Sequence, residues 1–355
     1  MKRLEALEGL RGYAAFLVFL VHSCGIVSAA MYKVDPDHAT LSNVQGPVAV
    51  LAFFFRSHYG VDLFFVLSGL LMADIAARRW PGARTFLARR ALRIYPAYLI
   101  SGALTLLAGI QLFDREVTVP QLAANTAMLH GFYVLGIVPI NPVTWSLSYE
   151  IAFYLAVPLI AFAWGARQAE GRQREATWLL ASLFVAIIVA AAIAPFDYAI
   201  YFAYFALFIP GLWLGMMDAD SRGRAAQRLP TPFAMGMWIA FALSYKLGFF
   251  TNKDPVYYVF SAFACGLLVL KTCDAGSFPG RLFATRPALA LGHISYSFFL
   301  IHYVVLHVLG QGLAALEVKT PAVYAVAIFG GGFALSALAA WGLFFLAERF
   351  YFTRR

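Results

Sequence analysis

Runs of apolar residues long enough to cross a membrane constrain this chain more than any other feature. Ten such runs recur along the 355 residues, and about 20 apolar residues in a helix span the hydrocarbon core of a bilayer. They lie at 10–30, 59–77, 94–112, 145–165, 177–195, 199–217, 231–249, 256–271, 289–309 and 322–346. The composition agrees, since 62% of the residues are hydrophobic and only 13% are charged. We therefore predict an all-α integral membrane protein with about ten transmembrane helices in one domain, 1–355.

The positive residues predict the orientation of these helices. If the N-terminus is cytoplasmic, only six of the 27 lysines and arginines lie outside, as the positive-inside rule requires. Both termini are then cytoplasmic, and 348–355 is a short basic tail. The segment 121–137 is interrupted by polar residues and would invert every later loop if it spanned, so we interpret it as an outer interfacial or re-entrant helix. The outer loop 31–58 either covers a site or is a linker.

The net charge of +9 comes from lysines and arginines in the loops between apolar runs. It therefore indicates membrane topology and contact with lipids, and it does not indicate binding to nucleic acid. The three cysteines have no metal-ligand spacing, and we predict no metal site.

The first apolar run carries Arg11 and His22, two ionisable residues on one face of a helix. Eleven residues place them about 16 Å apart along that face. Small side chains at Ala14, Ala15 and Val18 lie between them, which leaves room for a narrow ligand. Ionisable groups inside a membrane are costly and tend to face a polar cavity or serve a function. The alternative is an arginine that reaches lipid phosphate and a histidine satisfied by a neighbouring helix.

Six arginines fall within residues 78–93, the densest charge in the chain. Arg89 and Arg93 are one helical turn apart, and Arg90 shares a face with Arg93. Planar guanidinium groups arranged in this way suit a ligand with several phosphates. The alternative is that these arginines set topology and bind anionic lipid headgroups.

Three further ionisable residues lie in apolar runs. Glu150 is about one and a half turns into its run, and the predicted topology brings it, His22 and His302 to one depth from three helices. Ser295 shares a helical face with His302. Asp62 either caps the N-terminus of its helix or contacts a substrate.

At this point the chain resembles the acyltransferase 3 family of integral membrane O-acyltransferases. The segment EGLRGYAAFLVFLVHS is similar to the family's signature of an arginine and a histidine separated by ten residues, although Glu8 stands where the family commonly has Asp. The later blocks GVDLFFVLSGLLM, RRALRIYPAYL, WSLSYEIAFYL and ISYSFFLIHY are similar to family blocks in the same order.

The resemblance implies ten helices with both termini in the cytoplasm. It also implies acyl-CoA, here expected to be acetyl-CoA, as co-substrate, and a sugar-containing or lipid-linked acceptor on the outer side of the bacterial cytoplasmic membrane. The extra soluble domain of some members is not expected.

The expected roles follow from the resemblance and from the residues together. Arg89, Arg90 and Arg93 bind the donor phosphates, and Arg11 marks the start of the narrow space that leads along the first helix to His22. His22 is the predicted catalytic base, and Glu150 is expected to orient His22 or to bind the sugar. The remaining candidates for contact with the substrate or the oxyanion are Asp62, Trp145, Ser295 and His302.

Two other functions are compatible with parts of this pattern. A proton-coupled transporter would use the same ionisable residues as a relay, but the inverted repeats common in transporters are not found. A non-catalytic membrane anchor does not explain why ionisable residues converge at one depth.

Overall fold

The computed structural model describes residues 2–33, 59–109, 117–132, 135–169, 173–194, 199–247, 249–250 and 253–353, and all regular structure in these ranges is helical. The helices are α1 (Lys2–Tyr32), α2 (Tyr59–Arg78), α3 (Ala83–Leu107), α4 (Val119–Thr126), α5 (Trp145–Ala169), α6 (Gln173–Ile193), α7 (Phe208–Met216), α8 (Ala219–Arg228), α9 (Thr231–Lys246), α10 (Pro255–Thr272), α11 (Phe278–Leu282), α12 (Arg286–His293), α13 (Ser295–Ala315), α14 (Pro321–Val326), α15 (Gly332–Leu343) and α16 (Arg349–Thr353).

Short helical turns of other types extend several of these elements. The 3₁₀ turns Pro142–Thr144 and Ala199–Leu207 precede α5 and α7. The π-helical turns Ala327–Gly331 and Phe344–Glu348 join α14, α15 and α16 into one continuous helix.

Seven helices in the described part of the chain are long and apolar enough to cross a membrane. They are Glu5–Tyr32, Tyr59–Arg78, Pro142–Gly165, Glu175–Ile193, Pro255–Thr272, Ser295–Ala315 and Pro321–Tyr351. Each overlaps a run predicted from the sequence. The predicted run 289–309 is divided, however, because its first residues belong to α12 and the span begins only at Ser295. The protein is therefore an all-helical, multi-pass membrane protein, whereas ten spans and cytoplasmic termini remain predictions.

The other three predicted spans differ from a simple apolar helix for separate reasons. Helix α3 begins with the arginines, so its apolar part is short. The apolar part of α9, Thr231–Ser244, is shorter than a full span. The run at 199–217 becomes Tyr201–Met216, followed by a bend of 110° into α8, and this pair would count as an eighth span. Its first half is 3₁₀ helix, which rises more per residue, so the segment extends about 27 Å.

The segment predicted to be interfacial or re-entrant, 121–137, contains only the eight-residue helix α4 and turns among its described residues. Eight residues rise about 12 Å, less than half the thickness of a bilayer core. This agrees with the prediction that the segment does not span. Of the predicted outer loop 31–58, residues 34–58 lie outside the described residues.

Helices α2 and α7 pack with their backbones in contact. A Cβ atom added to Gly211 would lie 1.9 Å from the carbonyl oxygen of Val66, and one added to Gly69 would lie 2.2 Å from that of Phe208. Close approach of this kind is how small residues join helices in a membrane, where the hydrophobic effect between helices is weak. It fixes α2, which also packs on α1 and α5, at the centre of the bundle.

Candidate active site

A large cavity of about 620 Å³ lies between α1, α2, α3, α5, the start of α13 and the end of the last span. On α2 its walls run from Ile75 to Val61. Fourteen residues of helix correspond to about 21 Å, so the cavity is a long channel. Residues of the arginine-rich segment line one end of the channel, and Val61 and Phe299 line the other end.

The large cavity is strongly positive. Its lining includes Arg11, Arg79, Arg89, Arg90 and Arg93. Only Glu8 and Glu150 contribute negative charge, and Arg84 of the same segment does not line the cavity. All four arginines that the sequence predicted as donor ligands therefore face one space. An excess of guanidinium groups in a confined channel favours a ligand with several negative charges.

Arg90 is held by aromatic rings. Its side chain is only 8% exposed, and its Cζ lies 5.8 Å from the ring centre of Phe86, 5.9 Å from that of Tyr154 and 5.7 Å from that of Tyr351. Arg90 Nη2 also donates to the hydroxyl oxygen of Tyr351 over 2.7 Å. Ring faces attract a guanidinium that has lost most of its water, so this arrangement keeps a buried cation in one orientation.

Glu150 lies in the large cavity and not beside His22. Its Oε1 accepts from Ser68 Oγ over 3.0 Å and from the hydroxyl of Tyr154, its neighbour one turn along α5. Its charge attracts that of Arg11, which lines the same cavity. The predicted convergence of Glu150 and His22 therefore requires a correction, because helix α5 turns the carboxylate towards the arginines.

His22 lines a second, much smaller cavity of about 10 Å³. Its other lining residues are Val18, Val21, Val61, Val143, Trp145 and Phe299. A volume of this size holds about one water molecule or a methyl group. Among the lining side chains, only His22 and Trp145 carry a nitrogen that can form a hydrogen bond.

The two cavities share a wall. Val61 and Phe299 line both of them, so these two side chains separate the arginine-lined channel from the space at His22. The face of α1 that carries Arg11 at one level and His22 at the other thus contributes to both cavities, as its spacing predicted. A ligand that entered at the arginines would reach His22 only past this wall.

His302 contacts His22 but lines neither cavity. The two ring centres are 5.3 Å apart, and the His302 side chain is fully buried. His302 Nδ1 lies 3.0 Å from the carbonyl oxygen of Phe298, which can only accept, so this nitrogen carries the hydrogen. Its Nε2 is then an acceptor, and it has no hydrogen-bond partner among the described residues. This arrangement suits a residue that orients His22.

Asp62 is buried in the helix bundle and lines neither cavity. Its Oδ2 accepts from the hydroxyl of Tyr257 over 2.6 Å and from Ser261 Oγ over 2.5 Å, both on α10. The predicted contact with a substrate is therefore replaced by a contact between α2 and α10. Its neighbour Val61, in contrast, lines both cavities.

Ser295 is also buried away from both cavities, at the first position of α13. The next residue, Tyr296, lines the large cavity and donates its hydroxyl hydrogen to the carbonyl oxygen of Ile94 over 2.9 Å. Adjacent positions of a helix point in different directions, so Tyr296 reaches the cavity while Ser295 lies in the core. Trp145, the other candidate for contact with the substrate, lies at the small cavity.

Sequence reasoning missed the contribution of the C-terminal segment, which it described only as a basic tail. Tyr351 lines the large cavity and contacts Arg90, 261 positions earlier in the chain. Glu348 is 1% exposed, and its Oε1 accepts from the backbone N–H of Ser297 over 3.1 Å and from the Ser297 hydroxyl. No local spacing indicates either contact, because both join distant parts of the chain.

The acyltransferase 3 family model, described as an acyltransferase domain, matches residues 4–341. No solved structure matches the chain significantly.

Several curated proteins are similar to the chain. Acyltransferase MdmB of Streptomyces mycarofaciens is 30% identical over 195 residues, 52% of this chain and 45% of MdmB. The exopolysaccharide production protein ExoZ of Rhizobium meliloti is 28% identical over 287 residues, 77% of this chain and 84% of ExoZ. The putative peptidoglycan O-acetyltransferase YrhL of Bacillus subtilis is 28% identical over 281 residues, 70% of this chain and 44% of YrhL.

The chain thus spans less than half the length of MdmB and YrhL and most of the length of ExoZ. The family match, in contrast, extends over nearly the whole chain and includes α1, with Arg11 and His22, as well as the arginine-rich segment. The protein therefore belongs to the acyltransferase 3 family of enzymes that transfer acyl groups.

Proposed function

We propose that this enzyme moves an acetyl group from acetyl-CoA to a hydroxyl of a sugar-containing acceptor, with the donor entering from the cytoplasm and the acceptor from the outer side of the bacterial cytoplasmic membrane. The observation that carries the proposal is the arginine-lined channel that ends at the wall beside His22. The channel has the charge for a nucleotide with phosphates and the length for its thioester arm.

The donor would bind with its phosphates against Arg89, Arg90 and Arg93, at the end of the channel that the arginine-rich segment lines. Guanidinium groups form charge-assisted hydrogen bonds with phosphate. The pantetheine arm would follow α2 inward past Arg11 and Glu150. We assign Glu150 to positioning Arg11 and the donor arm, because its carboxylate lines the same cavity as Arg11 and attracts its charge.

The acetyl group would pass Val61 and Phe299 and meet His22. As the acceptor oxygen bonds to the thioester carbon, His22 takes the hydroxyl proton as general base. The carbon–sulfur bond then breaks, and His22 returns the proton to the departing sulfur, so CoA leaves as the thiol. His302 would hold the His22 ring, and the indole N–H of Trp145 is our candidate for stabilising the oxyanion.

Acetyl is proposed as the acyl group because the cavity at His22 holds only about a methyl group. A sugar-containing acceptor is proposed by analogy with the relatives. ExoZ is named for exopolysaccharide production, and YrhL is named a putative peptidoglycan O-acetyltransferase.

The experiment that tests the proposal measures CoA binding and acetyl transfer by the purified full-length protein in detergent. Wild type is compared with the double variant Arg89→Ala/Arg93→Ala and with Arg84→Ala as a matched control, since Arg84 belongs to the same segment but lies outside the cavity. We expect the double variant to weaken CoA binding by at least about 100-fold, because each lost charged hydrogen bond is worth about 1.5–3 kcal/mol and two are lost.

The control should bind CoA within about threefold of wild type, as expected for an exposed surface charge. If wild type binds no CoA, or if Arg84→Ala loses as much affinity as the double variant, the proposal fails. A proton-coupled transporter would then be the better interpretation.

A further inference from the structure

The last span continues beyond the part of the chain that matches the family. The family match ends at residue 341, whereas the span continues to Tyr351. Glu348 and Tyr351 lie on one face of this final stretch, three residues apart. Both side chains turn towards the bundle, where Glu348 is buried and Tyr351 lines the large cavity.

Tyr351 contacts two of the arginines in that cavity at once. Its ring centre lies 5.7 Å from Cζ of Arg90 and 5.5 Å from Cζ of Arg93, and its hydroxyl accepts the 2.7 Å hydrogen bond from Arg90. A tyrosine ring attracts cations over its face, so one side chain stabilises both guanidinium groups. This matters because Arg90, Arg93 and Arg11 would otherwise repel one another in one confined space.

Glu348, one turn before Tyr351 in the same helix, fixes the position of the Tyr351 ring. Glu348 accepts from the backbone N–H and from the hydroxyl of Ser297, in the first turn of α13. A carboxylate at a helix N-terminus satisfies N–H groups that lack a partner within the helix. The end of the last span is therefore attached to α13, and Tyr351 is carried on a fixed turn.

We propose that Tyr351 is a positioning residue for the phosphate-bearing part of the donor, which acts by holding Arg90 and Arg93 in the orientation that receives the phosphates. The inference rests on the proposed function, since it assumes that the channel binds CoA. Tyr351 acts through the arginines and is not among the residues that line the cavity at His22.

The test compares donors with and without the nucleotide. The full-length enzyme is assayed with acetyl-CoA and with S-acetylpantetheine, which keeps the thioester arm but has no phosphates. Tyr351→Ala removes the ring and the hydroxyl, and Tyr351→Phe removes only the hydroxyl. We expect the KM for acetyl-CoA to rise about tenfold in Tyr351→Ala and about threefold in Tyr351→Phe, with kcat and the KM for S-acetylpantetheine unchanged.

Phe350→Ala is the matched control, because Phe350 is the adjacent residue of the same turn and is 50% exposed. It should leave both KM values at those of wild type. Equal losses with the two donors in the Tyr351 variants would indicate a general structural role and overturn the inference. Unchanged kinetics in Tyr351→Ala would overturn it as well.

The same assay separates this inference from the proposed function. If wild type binds CoA and transfers acetyl but the Tyr351 variants behave as wild type, only the positioning role is refuted. If wild type binds neither CoA nor inorganic pyrophosphate, the proposed function and the positioning role are both refuted.

Discussion

The two cavities on either side of Val61 and Phe299 differ in size, charge and wall chemistry. The large cavity has about 620 Å³, and five arginines contribute to its lining. The small cavity has about 10 Å³ and is lined by four valines, one of which is Val61, and by Phe299, Trp145 and His22. If the channel binds the donor as proposed, the large cavity would recognise it by charge, and the small cavity would limit the size of its acyl group.

The difference suggests that donor binding and the chemical reaction take place in separate parts of the channel. The arginines can contribute affinity without contacting the reacting atoms, and His22 can contribute to the reaction without contacting the phosphates. Variants at the two ends should consequently change different kinetic constants. The following experiments test whether the two regions act independently.

The largest effect is expected for His22→Ala. Removal of the general base should lower the rate of acetyl transfer by about 10²–10⁴-fold, the usual contribution of general acid–base catalysis. The dissociation constant of CoA should stay unchanged, because His22 does not line the large cavity. Rates are measured by release of free thiol, and binding is measured by calorimetry.

His307→Ala is the control for His22→Ala, since His307 is a partly buried histidine that lines neither cavity. It should retain transfer close to that of wild type. A His22 variant that lost CoA affinity along with its rate would show that the two regions are one site.

A smaller effect is expected when the small cavity is enlarged. Val18→Ala/Val143→Ala removes four methyl groups from its wall and should allow a longer acyl chain. The ratio of kcat/KM for propionyl-CoA to that for acetyl-CoA should rise by about tenfold, since one methylene in an apolar pocket is worth about 1–3 kcal/mol. Leu71→Ala, which enlarges the large cavity, is the control and should leave the ratio unchanged.

Glu150→Gln tests where the carboxylate acts. It removes a negative charge from the large cavity, so CoA should bind about threefold more tightly at low ionic strength, and the gain should decrease as salt screens the arginines. Glu8→Gln is the comparison, because Glu8 lines the exposed end of the same cavity. Its effect should be smaller. A loss of transfer as large as that of His22→Ala would instead support the sequence-based assignment of Glu150 to His22.

The smallest effect on activity is expected for a histidine outside both cavities and outside the spans, which should instead change the stability of the fold. Burial lowers the pKa of His130 to about 4, and the hydrogen bond from its Nε2 to the carbonyl oxygen of Thr144 opposes that change only in part. The unfolded chain, with a histidine pKa near 6.5, takes up its proton first as the pH falls. Stability should therefore decrease between about pH 6.5 and pH 4.

The measurement is the melting temperature of the purified protein from pH 7.5 to pH 4.5, for wild type and for His130→Gln. The contribution of His130 to this loss is on the order of 3 kcal/mol at the acid end. The variant should consequently lose less stability on acidification than wild type. Identical curves would show that His130 is not the titrating group, and acetyl transfer at pH 7.5 should not distinguish the two proteins.

Much of the fold was predictable because the membrane imposes it. Within a bilayer the backbone must satisfy its own hydrogen bonds, so a long apolar run can only be a helix. All seven full-length spans overlap predicted runs. The boundaries were less predictable at 199–217, where a 3₁₀ stretch and a sharp bend alter the relation between residue number and length.

The candidate site was predictable only where its residues lie close together in sequence. Helical spacing placed Arg11 with His22, and Arg89 with Arg90 and Arg93, and the structure brings these arginines to one cavity. The predicted neighbours of Glu150 and Asp62 differ from those in the structure, because depth in the membrane does not determine which neighbour a side chain faces.

The sequence by itself determined that this chain forms membrane-spanning helices, that its positive charge gathers at one end of α3, and that an arginine and a histidine share a face of α1. These properties depend on hydropathy and helical period, which are local. Only the tertiary structure decided that Val61 and Phe299 divide the channel, that Glu150 belongs with the arginines, and that Tyr351 joins them from the far end of the chain. Those contacts depend on the rotation and packing of helices distant in sequence, for which no local pattern exists.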